Sequence, residues 1–558
     1  MRPDAPWSPL EWAPATQPSH PQGAPYKRHS RTREKGILVE LNRRQFVASA
    51  AAVAGASAIA SMASTAVADE AAEAKTGSWR DRPAPITDIA ETVDADVVVV
   101  GAGIGGVCSV LKAAQEGAKT VCLQKSPYVL THGGNFGAIN DRFQKEAGNP
   151  EIDPMDILQH HLKYNNYRPQ FDFAKVIFAE SAETLEWIAD STDTTWKAST
   201  PSEKNAMDWD NTTFVTGHSN SAGKAIDLAN VIADKAQELG AEFYFSCPGV
   251  DLVTDENGRV AGVIGQNADG DYIQFNASKG VILATGDYGS DYEMCAEMCP
   301  WVVGTHNYYA PRDNTGDGHK MGVWLGAKME TLPHTKMAHI HNSIDGSNLT
   351  DSPVKSDPFL WVNQDGKRFA NEHMEYAMVC NTVREQPGDV FFVVHDANFS
   401  DQRQAFLNPR GAVSDEAVET AIDLGYTVKA DTLEECAEAF GIPADTLVET
   451  VARYNELVAA GADEDFGKPA EDLKPIEVAP FYVTRTYTPM DVTMGGLMCN
   501  EKMQVLKEDG GIIEGLYAIG NTQGGFYGGI DYDLEVDAFS LGRAVTTGRL
   551  AAQYACAE

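Results

Sequence analysis

Four consecutive valines, Val97–Val100, follow the polar Asp94-Ala95-Asp96. A run that is apolar at every position reads as a strand buried on both faces of a parallel sheet, because a half-buried strand would alternate. A glycine-rich stretch comes next. Then Val107, Val110, Leu111 and Ala114 recur at the spacing of one helix face, until Gly117 stops the helix. Lys119–Leu123 makes a second strand and ends at Gln124-Lys125. Much later, Gly280–Thr285 reads as another buried strand and Thr315-Gly316-Asp317-Gly318 opens a helix. Near the end, Gly515–Asn521 closes a strand and Gly542–Leu550 belongs to a final helix. Strands alternating with helices at both ends of the chain predict an α/β fold.

The first 70 residues follow a different pattern. A weakly apolar Ala/Ser/Val/Gly stretch, Val47–Val67, is preceded by Asn42-Arg43-Arg44-Gln45-Phe46 and ends in Ala66-Val67-Ala68 before Asp69-Glu70. This reads as a twin-arginine export signal rather than a membrane anchor, with residues 1–68 a leader and 69–93 a linker. It predicts an exported protein, periplasmic or on the outer face of the cytoplasmic membrane. The Pro-rich residues 1–40 sit awkwardly before such a signal, and a start at Leu38 or Val39 would give a conventional one.

Charge narrows the partners. The chain carries 44 Lys+Arg against 80 Asp+Glu, a net charge of −36 that argues against nucleic-acid binding, which needs a basic face. Nine cysteines are too few for a disulfide scaffold. Cys295 and Cys299, four apart on a helix, suit a disulfide, a metal pair or, preferentially, burial as soft side chains. No metal site is expected.

The glycine-rich stretch is Gly101-Ala102-Gly103-Ile104-Gly105-Gly106, with the spacing G-x-G-x-x-G between a strand and a helix. Gly101 makes the tight turn, Gly103 admits a pyrophosphate to the backbone, and Gly106 lets helix and strand pack. The positive helix N-terminus receives the phosphates. The second strand ordinarily ends on an Asp or Glu that binds the ribose, but here it ends on Gln124, whose amide oxygen still accepts a bond. A glycine-rich loop, Thr131–Ala138, follows, and further loops at Ala284-Thr285-Gly286, Asp317 and Gly520-Asn521 arrive from far along the chain. Elements returning from the far end suit a long cofactor such as FAD.

With those motifs, Leu360–Glu372 and Thr493-Met494-Gly495-Gly496-Leu497, the chain resembles the flavoprotein family of fumarate reductases and succinate dehydrogenases. In particular it looks like the exported soluble branch that includes urocanate reductase and relatives of 3-ketosteroid dehydrogenases. The resemblance implies a Rossmann-like FAD-binding domain split in sequence (94–334 and 491–558), with an inserted α+β capping domain (335–490). It implies that Gly101, Gly103, Gly106, Gln124 and Lys125 hold the adenosine half. Gly133, Gly134, Asn135, Gly137 and Ala138 would lie along the flavin, with Ala284, Thr285 and Gly286 beside the cofactor. Asp317 would lie near the ring or ribityl chain, and Gly520 and Asn521 near the phosphates. Ser540 and Leu541 would offer backbone N–H groups to the N1/O2 edge of the flavin. Members with covalent flavin use a histidine where this chain has Asn135, so non-covalent FAD is expected.

The substrate columns of the family depart from its pattern. Tyr376 stands where the proton-donating Arg would be, Asp491-Val492 replaces a His-His pair, and the loop carrying a carboxylate-binding Arg becomes Gly524–Glu535, with Tyr527, Tyr532, Asp531 and Asp533. A histidine column falls near Ala338, with His334, His339 and His341 around it. Two carboxylates need paired cations, so fumarate is an unsuitable substrate and an aromatic or carbonyl-bearing one suits the phenols. Tyr376 is the first expected acid, with Tyr527, Tyr532 and His339 as further candidates. Arg312 either holds a carboxylate or carbonyl or pairs with the acidic surface, and Lys355 falls near the family's proton-relay region but reads preferentially as a solvated surface residue.

There is no C-x-x-C-H haem motif, iron–sulfur cysteine run or second dinucleotide fingerprint in the sequence. A separate redox partner is therefore expected, a cytochrome c or a quinol-linked membrane protein. The leading expectation is a reductase of an activated C=C bond in a small unsaturated substrate, serving anaerobic respiration, with hydride from the flavin and a proton from a tyrosine. The alternatives are a dehydrogenase of the 3-ketosteroid type and a flavin protein that carries electrons or binds a ligand without turnover.

Overall fold

The computed structural model describes residues 78–200, 214–305, 313–344, 351–374, 376–407, 413–529, 531–532 and 535–558. The leader, the first part of the linker, Arg312 and Asp533 lie outside the described residues, as does the side chain of Tyr376. Residues 82–558 form one compact unit. No helix among the described residues is long and apolar enough to cross a membrane.

An eight-stranded sheet is the largest element. Its main path runs Gln504–Leu506, Ile512–Ala518, Tyr272–Leu283, Ile89–Val100, Thr120–Gln124 and Glu242–Phe245, and the hairpin Gly249–Thr254/Val260–Gln266 pairs onto Tyr272–Leu283. The five strands from Ile512–Ala518 to Glu242–Phe245 are parallel. Val97 pairs with Thr120 on one side and Gly280 on the other. Val97–Val100 are each at most 3% exposed, so the unbroken valine run is a centre strand covered on both faces. Asp96 ties the entry to this strand by accepting from the Lys119 N–H (2.9 Å) and the Ser278 hydroxyl (2.7 Å).

The helix Ile104–Gln115 and the C-terminal helix Phe539–Ala557 cross in close contact. A Cβ on Gly548 would lie 2.3 Å from the carbonyl oxygen of Gly105, and the Ser109 hydroxyl donates to Gly548 O at 2.8 Å. Small residues at this crossing bring the end of the chain against the start of the glycine fingerprint.

A separate four-stranded antiparallel sheet is ordered Leu360–Asn363, Val390–His395, Phe481–Tyr487, Thr427–Ala430. It has its own core, including Leu360, Phe392, Leu447, Val451 and Tyr454. The strand pair Lys336–Ala338/Met490–Thr493 lies in sequence at the two ends of the segment that builds this sheet. The motif residue Arg368 makes bidentate bonds to Glu372 and Asp463, locking the turn after Leu360–Asn363 to a later loop.

Candidate active site

The carboxyl ends of the parallel strands gather the residues expected to meet a dinucleotide. Gly101 follows Ile89–Val100 with φ +111°, a backbone region that only glycine adopts freely. A Cβ on Gly106 would fall 2.0 Å from Gly101 O, so this glycine is needed by the protein alone. Gly103 differs: a Cβ there would meet only Leu130 O, at 3.6 Å. It is the N-cap of Ile104–Gln115 and has no side-chain cap, leaving room and helix N–H donors where a pyrophosphate needs them.

Gln124 spends its amide on the protein. Its Oε1 accepts from the Ala102 N–H at 2.9 Å and its Nε2 donates to Tyr128 O at 3.2 Å. It therefore braces the glycine turn, with one lone pair and one N–H left for a ribose. Lys125 donates to Thr315 Oγ1 (2.8 Å) and pairs with Asp317 (3.1 Å), so Asp317 stands beside the end of the second strand. Burial gives way at Ala284-Thr285-Gly286, which are half-buried after the fully buried Val281–Leu283. The Thr285 hydroxyl accepts from the Gly318 N–H at 3.1 Å and meets the Thr522 hydroxyl beside Gly520-Asn521.

The glycine-rich loop packs on the start of the C-terminal helix. Gly137 N–H donates to Ala538 O (2.9 Å), a Cβ on Gly542 would lie 2.2 Å from Gly137 O, and one on Gly133 would lie 2.9 Å from the Leu541 side chain. Gly134 and Asn135 are half-buried, and Ala138 is buried. The helix begins after Ala538 (φ +60°) without a side-chain cap, and its first backbone bond, Gly542 N–H to Ala538 O (3.1 Å), leaves Ser540 and Leu541 in the first turn. That positive end suits a group that gains negative charge.

Next to this cradle lies a buried polar cluster. His339 bonds Tyr532 through Nε2, and its Nδ1 is 2.8 Å from Asp491 Oδ2. Tyr532 and Tyr527 meet edge to face, with centroids 6.5 Å apart, and both are buried. Arg543, fully buried, lies with its guanidinium 5.3 Å from the Tyr527 ring centre and donates to Asn521 Oδ1 at 2.6 Å. Asp531, beside Tyr532, pairs with the buried Lys336 and accepts from Asn381 Nδ2 at 2.8 Å. Tyr376 begins the helix Tyr376–Arg384 that carries Asn381.

Of the neighbouring histidines, His334 is elsewhere engaged, with Tyr288 OH (2.8 Å) and Glu330 O, and burial pushes it down to about 4. His341 faces Asp491 at 3.5 Å and Asp351 at 2.9 Å. Lys355, read from the sequence as solvated, is instead 13% exposed in its side chain and pairs with Asp351. Cys295 and Cys299 are buried and free. Sequence reasoning missed the cations Lys336 and Arg543, which no motif marks, and the pairing of Asp491 with His339, which only the strand pair Lys336–Ala338/Met490–Thr493 brings about.

A family model described as an FAD binding domain matches residues 96–532. The chain belongs to this FAD-binding family. An NADH:acrylate oxidoreductase of Vibrio harveyi is 30% identical over 67% of this chain, which spans only 36% of that protein. A vinyl phenol reductase of Lactiplantibacillus plantarum is 27% identical over 82% of this chain and 96% of that one. The open conformation of a flavocytochrome c3 fumarate reductase shares the fold, with TM-score 0.69 and 23% identity over 87% of this chain and 82% of that one. Members of this FAD-dependent oxidoreductase family thus include reductases of several unsaturated compounds.

Proposed function

We propose that the protein is an FAD-dependent reductase of an activated C=C bond in a small, non-dicarboxylate substrate, with Tyr532 as the proton donor. The observation that carries this reading is the Tyr532–His339–Asp491 array: a phenol bonded to an imidazole that a buried carboxylate holds from behind. A phenol backed in this way can release a proton and recover it. FAD, when bound, supplies the hydride.

The residues fit that cofactor on their own geometry. Gly103 leaves a place for the pyrophosphate, Gly101 and Gly106 shape the turn that Gln124 braces, and Lys125 would stand at the adenosine side with its partner Asp317, which the resemblance sets nearer the ring or ribityl chain. Gly133–Ala138 and the first turn at Ser540-Leu541 would hold the flavin half, with Ala284–Gly286 and Gly520-Asn521 between. Asn135 offers no nucleophile, which supports non-covalent binding.

Lys336 is neutralised by Asp531 and Arg543 is turned to Asn521 and Tyr527. Neither is offered as a free clamp for two carboxylates, which supports a neutral, monocarboxylate or aromatic substrate. An exported protein without a haem motif would take electrons from a separate cytochrome c or quinol-linked membrane protein. The net charge of −36 suits steering towards a basic partner face. The reading is tested by viologen-driven turnover of acrylate, urocanate, 4-vinylphenol and fumarate. Loss of activity in Tyr532→Phe with FAD retained supports it, and turnover at the wild-type rate removes Tyr532 from the role.

A further inference from the structure

Asp491 is 2% exposed, yet both of its oxygens face histidines: Oδ2 lies 2.8 Å from His339 Nδ1 and Oδ1 lies 3.5 Å from His341 Nε2. The other nitrogen of His341 lies 2.9 Å from Asp351 Oδ2, the oxygen that Lys355 also bonds. Burial pushes the Asp491 carboxyl up, but the charge and hydrogen bonds of His339, with those of His341, outweigh it and hold the group well below the usual carboxylate range. Asp491 is therefore an acceptor, so the His339 nitrogen facing it carries hydrogen. That fixes the ring with Nε2 turned to the Tyr532 hydroxyl. Two further groups lie near enough to feel the charge of Asp491: His132 from the glycine-rich loop and Cys380 from the helix Tyr376–Arg384.

We propose that Asp491 is the positioning residue of the Tyr532–His339 proton donor, and that His341, held from behind by Asp351 and Lys355, pins the second oxygen of Asp491 so that the carboxylate keeps its aim. The inference rests on the acid assigned above to Tyr532. In the step, the Tyr532 O–H bond breaks as a C–H bond forms on the substrate, leaving a phenolate. His339 gives its Nε2 hydrogen to that phenolate and keeps its Nδ1 hydrogen on Asp491. Solvent returns the proton to Nε2 through the edge of the ring, whose side chain is 19% exposed.

His339, His341 and Asp491 are close enough to one another to gather a metal ion. The 2.8 Å separation of His339 Nδ1 from the carboxylate is that of a direct hydrogen bond, which favours positioning over ligation.

The test reads the C2–H exchange of individual histidines by mass spectrometry on the holoenzyme as a function of pH. It compares the wild type with Asp491→Asn, Asp491→Glu and His341→Gln, each with and without EDTA or added Zn2+. Asp491→Asn should move the exchange midpoint of His339 by at least one pH unit towards lower pH, and Asp491→Glu should restore half or more of the shift. His341→Gln, which leaves Asp491 in place and guards against misfolding of the first variant, should move it by less than Asp491→Asn does. His334 should not move. An unmoved His339 midpoint in Asp491→Asn overturns the positioning role, as does a midpoint that responds only to Zn2+ or EDTA. Undiminished turnover by Tyr532→Phe overturns the acid assignment instead, so the two failures are distinguishable.

Discussion

Tyr532 and His339 lie 193 residues apart in sequence and share a hydrogen bond between the phenol and Nε2. The bond joins the loop that precedes the C-terminal helix to the residue that follows the strand Lys336–Ala338. If Tyr532 is the acid, Tyr532→Phe should lower turnover by about 10²- to 10⁴-fold while flavin content and melting temperature stay the same. Tyr376→Phe, at the position to which the family resemblance points, should then cost less than about tenfold by that comparison. The reverse ranking would return the role to Tyr376.

Gly103 and Gly106 should fail in different ways. A Cβ at Gly103 meets only Leu130 O, at 3.6 Å, among the described residues, so Gly103→Val should fold and lose FAD. At Gly106 the new Cβ would lie 2.0 Å from Gly101 O, so Gly106→Ala should lower the melting temperature of the flavin-free protein itself. Flavin content after gel filtration and unfolding of the stripped protein separate the two. Full FAD occupancy in Gly103→Val would show that the pyrophosphate lies elsewhere.

His395 is 1% exposed, stacks on Tyr482 with centroids 4.9 Å apart, and is pushed down to about 3, chiefly by burial. The unfolded chain takes up this proton below about pH 6.5 and the folded one does not. The neutral ring therefore contributes its full stability above that value and loses it as pH falls. Relative to His395→Phe, the wild type should lose up to about 1.4 kcal/mol per pH unit below about pH 6.5. Melting curves from neutral to acid pH read this as a widening gap in favour of the variant. A gap independent of pH would mean that the ring is charged in the fold.

Fumarate should be a poor substrate. Each carboxylate left without a charge-assisted partner forfeits about 1.5–3 kcal/mol, about a tenfold to hundredfold loss apiece. Steady-state kinetics should place fumarate at least about 10²-fold below the best substrate by that arithmetic. Asp531→Asn, which frees Lys336 from its ion pair, should narrow the difference. If the wild type reduces fumarate efficiently, Lys336 or Arg543 binds it.

The sheet was legible because its signals are local. The valine run, the glycine spacing and the strand before Gly520-Asn521 each report burial or a turn within a few residues, and with the family resemblance they pointed to FAD. His339 and Tyr532 were legible as separate candidates, but their meeting with Asp491 was not. Tyr532, His339 and Asp491 stand in no common motif, and their meeting depends on the register that pairs Ala338 with Met490. Gln124 was correctly seen as unusual, but its bond to the Ala102 N–H depends on how the glycine turn folds back on the second strand. Lys355 was misread because a lysine in a polar stretch looks solvated until Asp351 and His341 are seen beside it.

The most direct measurement is a single-turnover mix of dithionite-reduced holoenzyme with acrylate, urocanate, 4-vinylphenol and fumarate, following flavin absorbance and product, in the wild type and Tyr532→Phe. The account predicts that at least one of the first three reoxidises the wild type and is recovered saturated, that fumarate does so slowly, and that Tyr532→Phe stalls on the same compound. Rapid reoxidation by fumarate with succinate formed, or equal rates in Tyr532→Phe and the wild type, would contradict it.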